Sequence, residues 1–280
     1  MSELNTVVIV GSSLAGLRAA ETLRLEKYEG RIVIVGAEDR QPYDRPPLSK
    51  KVLSGEWEAD RISLRKPEDL AKLNIDWKLG SAATSLNTIT RTITLASGET
   101  IAFDGLIIAT GSGVRKLPNQ PDWKGVHVVR TLDDSLALRA NLNPGARVVV
   151  IGAGFIGLEV AATAKNRGCE VTVLEGAPAP MMRGLGAEMG HAAALVHTDN
   201  GVSMRFNVKV AGLVEGSKGS VGGVALDDGE VVPADVVVVG IGVVPATQWL
   251  ENTELELRDG VVCDTTLNAG LPGVYAAGDV

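Results

Sequence analysis

Three glycines and one glutamate between residues 148 and 175 have types and spacing suited to holding a phosphorylated ligand. The stretch VVVIGAGFIGLEVAA is typical of a strand, a glycine-rich turn and a helix. In such a turn Gly152 permits the tight bend, Gly154 lets the backbone approach a pyrophosphate, and Gly157 lets the helix pack against the strand. The next strand ends at Glu175, 23 residues after Gly152, where a carboxylate can accept hydrogen bonds from both hydroxyls of an adenosine ribose. The spacing therefore predicts a dinucleotide site that repels a 2′-phosphate, although Glu175 by itself could be a solvated loop acid.

The same pattern occurs a second time near the start of the chain. The segment VVIVGSSLAGLRAAE aligns without gaps on VVVIGAGFIGLEVAA, and Gly11 and Gly16 match the first and last glycines of the later turn. Ser13 stands where the later turn has its middle glycine, which narrows the approach to a ligand but can be accommodated at negative φ. The following strand, RIVIVGAE, ends at Glu38, the candidate ribose acceptor of this first site.

A second pair of matching segments extends the repeat. Residues 95–111, LASGETIAFDGLIIATG, align without gaps on residues 226–242, LDDGEVVPADVVVVGIG. Each segment closes with an apolar strand and a glycine, Gly111 or Gly242. The sequence therefore predicts two copies of one α/β domain, each opening with a nucleotide-binding turn. Chance similarity between two α/β domains is the alternative.

Composition and charge exclude several classes of protein. A net charge of −7 disfavours a general nucleic-acid binder. Two cysteines, Cys169 and Cys263, provide no disulfide framework and fit a reducing compartment, so we expect a cytoplasmic location. The N-terminus lacks the pattern of a signal peptide, and no apolar run approaches the length of a membrane span, so we expect no membrane association. The three histidines show no metal-ligand spacing, and no metal is expected.

Four segments carry a resemblance to a known family. They are PYDRPPLSK (residues 42–50), IIATG (107–111), GFIGLEVAA (154–162) and LPGVYAAGD (271–279). Through them the chain resembles the FAD-dependent, NADH-using ferredoxin and rubredoxin reductases that serve oxygenases, within the flavoproteins that have two dinucleotide-binding domains. The resemblance implies a flavoprotein oxidoreductase that passes a hydride from NADH to FAD, and then single electrons to a [2Fe–2S] ferredoxin or a rubredoxin. It leaves the oligomeric state open.

The resemblance also implies a fold and an order of domains. The fold is α/β, with two Rossmann-like, three-layer domains of the FAD/NAD-linked reductase type. The FAD-binding domain is discontinuous, covering residues 1–115 and 246–280, and the NADH-binding domain, residues 116–245, is inserted in it.

Site residues carry over from the family's motifs. Those implied for FAD are Gly11, Ser13, Ala15 and Gly16 at the pyrophosphate, Glu38 at the adenosine ribose, Ala83 at the adenine end, Thr110 and Gly111 in the second signature, Arg130, and Asp279 at the ribityl hydroxyls. Those implied for NADH are Gly152, Gly154, Phe155, Ile156, Gly157, Glu175, Arg183 and Gly242. The family often has Asp at the position of Ala37, so Glu38 takes over the ribose contact here.

Lys50 and Glu159 are the implied catalytic residues. In the family a Lys and a Glu at these positions lie at the N5 edge of the flavin and can pair, so Lys50 also counts among the FAD contacts. A cation there would favour electron-rich reduced flavin. An ordinary salt bridge between a loop and a helix is the alternative.

Other functions are known for proteins with two dinucleotide-binding domains. A disulfide reductase or a cysteine-based oxidase or peroxidase needs a cysteine beside the flavin, but the sequence has no CxxC and residues 42–50 contain no cysteine. A non-enzymatic FAD- and NADH-binding protein of the apoptosis-inducing-factor type remains an alternative, as does an NADH oxidase with another acceptor.

The sequence differs from the family at its end. Family members continue after this point for about a hundred residues, the size of one more small domain, whereas this sequence ends at Val280. The sequence is then either a fragment or a core without that domain, which covers one flavin face and takes part in partner docking. As it stands, we expect the chain to hold FAD weakly and to reduce ferredoxin poorly.

Overall fold

The computed structural model describes residues 4–217 and 219–280. Within them the helices, in chain order, are α1 (Leu14–Leu25), α2 (Lys51–Ser54), α3 (Pro67–Lys72), α4 (Leu132–Asn141), α5 (Phe155–Asn166) and α6 (Met182–Asp199). The strands are β1 (Thr6–Val10), β2 (Arg31–Val35), β3 (Ile75–Lys78), β4 (Ala83–Asn87), β5 (Thr92–Leu95), β6 (Thr100–Ala102), β7 (Gly105–Ile108), β8 (Ser112–Val114), β9 (Val126–His127), β10 (Arg147–Ile151), β11 (Glu170–Leu174), β12 (Ser203–Arg205), β13 (Val210–Glu215), β14 (Val221–Leu226), β15 (Val231–Pro233), β16 (Val236–Val239), β17 (Val243–Pro245), β18 (Leu257–Arg258), β19 (Gly260–Val261) and β20 (Val274–Ala276).

The central strands are short runs of branched apolar residues that are buried on both faces. β1, β2, β10 and β16 read TVVIV, RIVIV, RVVVI and VVVV, and nearly all of their residues are buried. Branched side chains favour extended backbone. A parallel sheet that is covered on both faces needs apolar residues at odd and even positions alike, which these runs supply.

Packing divides the described residues into two compact units. Unit 1 comprises the described residues through Asp44, Ser63–Gly113 and Val244–Val280, and unit 2 comprises Arg45–Ile62 and Val114–Val243. Most of unit 2 therefore lies within the sequence of unit 1. Each unit is built as the Rossmann-like α/β domain that the sequence predicted.

Unit 1 has three layers. Its parallel sheet has the strand order β3-β2-β1-β7-β20. Val7 and Ile9 face α1 and pack near Ala20, whereas the alternate residues of β1 pack against β4, β5 and β6, where Ile93 and Phe103 are buried. The period of two along each strand thus separates a helix layer from an antiparallel sheet layer.

Unit 2 repeats this arrangement. Its parallel sheet has the order β12-β11-β10-β16-β9. Val148 and Val150 of β10 pack with residues of α4 and α5, and Val149 and Ile151 pack against the antiparallel sheet β13-β14-β15. The central strand and its glycine-rich turn therefore occupy the same place in both units, as the sequence repeat predicted.

One segment differs from the predicted domain boundaries. Residues 45–62 were expected in the FAD-binding domain, but they pack within unit 2. Their Leu53 is fully buried in the core beneath α4 and α5. Arg167 Nη1, just after α5, also donates a hydrogen bond to Ser54 O at 2.8 Å. The burial of Leu53 and the hydrogen bond to Ser54 O attach this segment to unit 2. The position of the segment in the sequence indicates neither contact.

None of the helices in the described ranges is both long and apolar enough to cross a membrane.

Candidate functional site

The first glycine-rich turn lies at the carboxyl edge of the unit 1 sheet. Gly11 follows β1 with φ of +128°, and a Cβ there would lie 1.9 Å from Ala109 O. Gly16 is buried in α1, and a Cβ there would lie 1.9 Å from Gly11 O. Both positions therefore require glycine for the bend and for the close approach of α1, whatever is bound.

Ser13 is the residue at which α1 begins. Its φ of −105° and ψ of −160° are extended, so a side chain is accepted at this position of the turn. Its side chain does not cap the helix, and the first turn of α1 contains no acidic residue. The positive end of the helix dipole is therefore left without a compensating side-chain charge, which suits a bound anion.

Two predicted acids lie at the same edge of the sheet, because β2, β1, β7 and β20 run parallel. Glu38 follows β2, is half-buried, and accepts a hydrogen bond from the hydroxyl of Tyr43. Asp279 follows β20 and is exposed. A Cβ on its neighbour Gly278 would lie 3.0 Å from the Cβ of Ala15, so the end of β20 closely approaches α1.

Thr110 and Gly111 follow β7 at this edge. The Thr110 hydroxyl donates to Ala246 O at 2.9 Å, and the Ala246 N–H donates to Gly111 O at 2.8 Å. The Thr110 side chain thus binds the segment around Ala246, where the chain returns to unit 1. Ala83 begins β4 and is half-buried against the unit 1 core.

The second glycine-rich turn lies at the carboxyl edge of the unit 2 sheet. Gly152 has φ of +99°, and a Cβ there would lie 2.4 Å from Gly240 O. A Cβ on Gly157 would lie 2.1 Å from Gly152 O. As in unit 1, the fold itself demands the first and last glycines of the turn.

Gly154, the middle glycine, is different. It begins α5 with φ of −75° and ψ of −179°, and no atom lies within 4 Å of a Cβ placed on it. The fold therefore does not need glycine here, and a side chain would extend into the open space above the turn. The first turn of α5 also lacks acidic residues. Open space at the N-terminal end of α5 fits a pyrophosphate.

Glu175 is tied to this turn by its carboxylate. Oε2 accepts a hydrogen bond from the N–H of Ala153 at 2.7 Å, and Oε1 accepts one from the N–H of Ala177 at 2.8 Å. Each carboxylate oxygen can accept a further hydrogen bond. The carboxylate is therefore oriented by the backbone and retains acceptor capacity for a ribose. The sequence predicted its place but not these two bonds.

Exposed apolar side chains flank the turn. Phe155 and Ile156, the first residues of α5, have 57% and 44% of their surface exposed. Gly242 is exposed beyond the end of β16, with φ of +108°, and its carbonyl accepts a hydrogen bond from Arg115 N at 3.0 Å.

The start of α6 is fastened beside the same turn. Met181 N donates to Ala153 O at 3.0 Å, and Arg183 is exposed two residues later. At Gly186 the helix is interrupted by a non-helical φ of 75°. Arg183 is therefore in the short stretch between an anchor at the turn and a break in the helix, where a long cationic side chain can reach the turn.

Arg130 precedes α4, in unit 2. Its backbone N–H donates to Asp134 Oδ2 at 3.0 Å, and its carbonyl accepts a hydrogen bond from Arg45. Thr131 and Asp134 form a capping box, so this helix end is closed by the protein's own side chains. The two nucleotide turns have no such side-chain cap, and neither do the starts of α2, α3 and α6.

Lys50 and Glu159 form an ion pair within unit 2. Lys50 Nζ lies 2.8 Å from Glu159 Oε1, with 44% and 31% of the two side chains exposed. Glu159 is in the second turn of α5, after the glycine-rich turn. The Ser49 hydroxyl donates to the other carboxylate oxygen, Oε2, at 2.5 Å. The structure thus brings these two predicted residues together and adds a third.

Sequence reasoning missed three buried hydroxyl residues, Ser49, Ser135 and Thr163. Thr163 Oγ1 donates to Ser49 O at 2.8 Å, and Ser135 Oγ donates to Leu48 O at 2.6 Å. Ser49 was quoted within PYDRPPLSK without a role. A spacing of four between Glu159 and Thr163, which places them on one helix face, was the available signal.

Cys169 and Cys263 belong to or pack against the hydrophobic cores of the two units. Cys169 is buried in the unit 2 core, as predicted, and burial raises the pKa of its thiol. Cys263 is half-buried in unit 1. Burial also lowers the pKa of His127, against an opposing effect of Asp134. Across residues 4–217 and 219–280, no group of three or more His, Cys, Asp or Glu could hold a metal ion.

Comparison with known proteins identifies a family and several relatives. The family described as pyridine nucleotide-disulphide oxidoreductase matches residues 5–280. The ferredoxin–NAD(+) reductase component of the biphenyl dioxygenase system of Paraburkholderia xenovorans is 39% identical, over 99% of this chain and 67% of the relative. Rubredoxin–NAD(+) reductase of Pseudomonas putida is 35% identical, over 98% of this chain and 71% of the relative.

A solved structure is similar over nearly the whole chain. The putidaredoxin reductase of a covalent complex with putidaredoxin aligns with a TM-score of 0.95 at 34% identity, covering 98% of this chain and 67% of that one. The chain spans about two thirds of the length of these proteins.

Proposed function

Because this chain belongs to the pyridine nucleotide-disulphide oxidoreductase family, we propose that it is an FAD-dependent reductase that takes electrons from NADH and delivers them to a ferredoxin or rubredoxin serving an oxygenase. The observation that carries the proposal is that both units have the same glycine-rich turn at the carboxyl edge of a parallel sheet, followed by an acid after the second strand. The named activities of the relatives support the choice of donor and acceptor.

Unit 1 fits FAD. The turn from Gly11 to Gly16 meets the pyrophosphate with backbone N–H groups and the positive end of α1. Glu38 accepts from the adenosine ribose while Tyr43 orients its carboxylate. Asp279, at the end of β20, accepts from the ribityl hydroxyls. Ala15, Ser13, Ala83, Thr110 and Gly111 contribute backbone and small side chains around these contacts, and Arg130 is proposed to contact the bound FAD.

Unit 2 fits NADH. The open space above Gly154 admits the pyrophosphate, and Arg183 supplies a cation beside it. Glu175, held by two backbone N–H groups, accepts from the adenosine ribose and repels a 2′-phosphate. Phe155, Ile156, Gly157, Gly152 and Gly242 complete the surface around the turn.

Lys50 and Glu159 are assigned to the reacting end of the cofactors. When bound, NADH and FAD supply hydride transfer and the change from two-electron to one-electron chemistry. With FAD bound beside it, the ammonium of Lys50 would favour the electron-rich reduced form of the flavin. The carboxylate of Glu159 pairs with that ammonium, with 2.8 Å between Nζ and Oε1. No side chain of the chain needs to act as a general base, since hydride transfer depends on positioning.

Thiols take no part in the proposed route of electrons from NADH through FAD to the acceptor. The sequence contains Cys169 and Cys263 and no CxxC. Cys169 is buried with a raised pKa, so little of it is thiolate, the form that reacts. Two reduced cysteines also fit a cytoplasmic location, which we propose on this ground.

The test is steady-state NADH oxidation by the FAD-loaded chain, read as cytochrome c reduction with and without added [2Fe–2S] ferredoxin, and in parallel with rubredoxin. We expect cytochrome c reduction to depend on the added carrier. NADH consumption that is equal without any carrier and produces peroxide or water would favour an oxidase. Tight binding of both nucleotides without turnover would favour a non-enzymatic binding protein.

A further inference from the structure

Ser49 is held by helix α5 at two points. It is 1% exposed. Its hydroxyl donates to Glu159 Oε2 at 2.5 Å, and its carbonyl accepts from Thr163 Oγ1 at 2.8 Å. Glu159 and Thr163 are four residues apart, so one face of α5 binds both the side chain and the backbone of Ser49.

Two consecutive residues therefore bind the two oxygens of one carboxylate. The Ser49 hydroxyl donates to Oε2 of Glu159, and the Lys50 ammonium pairs with Oε1. A partly exposed ion pair between long side chains is weak and mobile, because both chains lose rotamer freedom when they pair. A hydrogen bond from a buried, immobile hydroxyl removes that freedom from the carboxylate before Lys50 pairs with it.

We propose that Ser49 is a positioning residue that orients the Glu159 carboxylate and thereby gives the Lys50 ammonium a single position on helix α5. Its catalytic consequence rests on the proposed function of the Lys50–Glu159 pair. The positioning itself requires no bound cofactor, because all the contacts are within unit 2.

The chain offers a matched control in Ser135. This serine of α4 is also fully buried, and its hydroxyl donates at 2.6 Å to the carbonyl of Leu48, next to Ser49. It fastens the same segment without being hydrogen-bonded to Glu159. A difference between Ser49→Ala and Ser135→Ala therefore isolates the effect on the carboxylate from a general loosening of the segment.

The first measurement is made without cofactor. The chain is labelled with ¹³Cε-lysine for NMR spectroscopy. The Lys50 signal is identified as the one that is missing from the spectrum of Lys50→Gln. We expect Glu159→Ala and Ser49→Ala to move this signal toward that of exposed lysines, Ser135→Ala to leave it in place, and Ser49→Thr, which keeps the hydroxyl, to restore it. If Ser49→Ala does not fold, Ser49→Cys fills the site with a group that donates only weakly.

The second measurement uses the FAD-loaded chain in stopped flow with NADH. We expect Ser49→Ala to lower the rate constant of flavin reduction about five- to tenfold, which is less than the full effect of losing a hydrogen bond to a charged group, because Ser49 acts only through Glu159 and Lys50. The apparent Kd for NADH is expected to change by less than about twofold, because Ser49 is hydrogen-bonded to Glu159 and Thr163 and not to the turn residues Gly152 to Gly157.

The proposal would be overturned by an unchanged Lys50 NMR signal in Ser49→Ala, or by an equal shift of that signal in Ser135→Ala. It would also be overturned if adding Ser49→Ala to Glu159→Ala shifted the Lys50 signal further. If the Lys50 signals behave as expected while NADH fails to reduce FAD in the unmutated chain, the proposed function fails and the positioning by Ser49 stands.

Discussion

At the scale of single residues, Glu175 has both a structural and a recognition role. Its two oxygens accept hydrogen bonds from the N–H groups of Ala153 and Ala177. Ala153 is buried in the glycine-rich turn, so losing this acceptor leaves a buried N–H without its partner. The choice of nucleotide and the shape of the turn therefore depend on the same carboxylate.

We predict that the unmutated chain prefers NADH to NADPH and that Glu175→Ala narrows the ratio of the two kcat/KM values at least about tenfold, because like-charge repulsion of a 2′-phosphate is removed. Glu175→Gln is the control. It also removes the charge but keeps one acceptor for a backbone N–H, so it should narrow the ratio with a smaller loss of Tm. Equal use of NADH and NADPH by the unmutated chain would contradict the assignment of Glu175.

The cysteines give a second prediction at this scale. Cys169 is buried, its Sγ lies 3.3 Å from Asn143 O, and burial raises its pKa, all of which disfavour a reactive thiolate. We expect the double variant Cys169→Ser, Cys263→Ser to keep ferredoxin-linked activity within about twofold, since a serine hydroxyl can donate to the same carbonyl. Activity that disappears while FAD content stays normal would reveal a thiol intermediate. The measurement is carrier-dependent cytochrome c reduction per bound FAD.

At the scale of elements, the two turns show which glycines serve the fold and which serve the ligand. Gly152 has positive φ and no room for a Cβ, whereas Gly154 has negative φ and open space around it. In unit 1 the place of Gly154 is taken by Ser13, also at negative φ. A serine can therefore occupy this place in the same strand–turn–helix element.

We predict opposite behaviour for substitutions at these two glycines. Gly154→Ser should leave the Tm within about 1 °C, because serine is a good first residue of a helix, but it should raise the KM for NADH about tenfold by obstructing the pyrophosphate. Gly152→Ala should lower the free energy of unfolding by about 3 kcal/mol through strained backbone and a clash with Gly240 O. Thermal unfolding and steady-state kinetics check both. An unchanged KM in Gly154→Ser would place the nucleotide elsewhere.

At the scale of the whole molecule, the chain consists of two copies of one three-layer fold, each with its own buried core. The second copy interrupts the first, and the segment Arg45–Ile62 crosses over to join the second copy. Through this segment Ser49 and Lys50 contact α5. The predicted catalytic residues Lys50 and Glu159, which are far apart in the sequence, therefore meet within one unit.

We predict that the two nucleotides protect different units from hydrogen exchange. Binding stabilises the part of a protein that holds the ligand. NAD⁺ should slow exchange at residues 153–157 and 177–183 of unit 2, and FAD should slow it at residues 11–16 and 277–280 of unit 1. Gly154→Ser is the control and should weaken only the NAD⁺ effect. Protection by NAD⁺ that is confined to unit 1 would reverse the assignment of the two units.

The sequence by itself determined the elements that depend only on residues near one another in the chain. Gly11, Gly16, Gly152 and Gly157 were predicted at turns because their neighbours alone indicate a strand, a bend and a helix. The internal repeat then implied that both turns belong to the same kind of domain. The place of Glu175 after a second strand followed in the same way, since the length of a strand–helix–strand unit varies little.

Only the tertiary structure decided what depends on packing between distant segments. It joined Ser49 to Glu159, 110 positions further along the chain, and it placed the segment around Ser49 in unit 2. It also showed the ion pair of Lys50 and Glu159 that the family resemblance had implied. It also showed that the Glu175 carboxylate is held by two backbone N–H groups and that nothing fills the space above Gly154. A buried hydroxyl takes its partner from whichever element packs against it, so the spacing of Glu159 and Thr163 on one face of α5 did not by itself identify Ser49 as their partner.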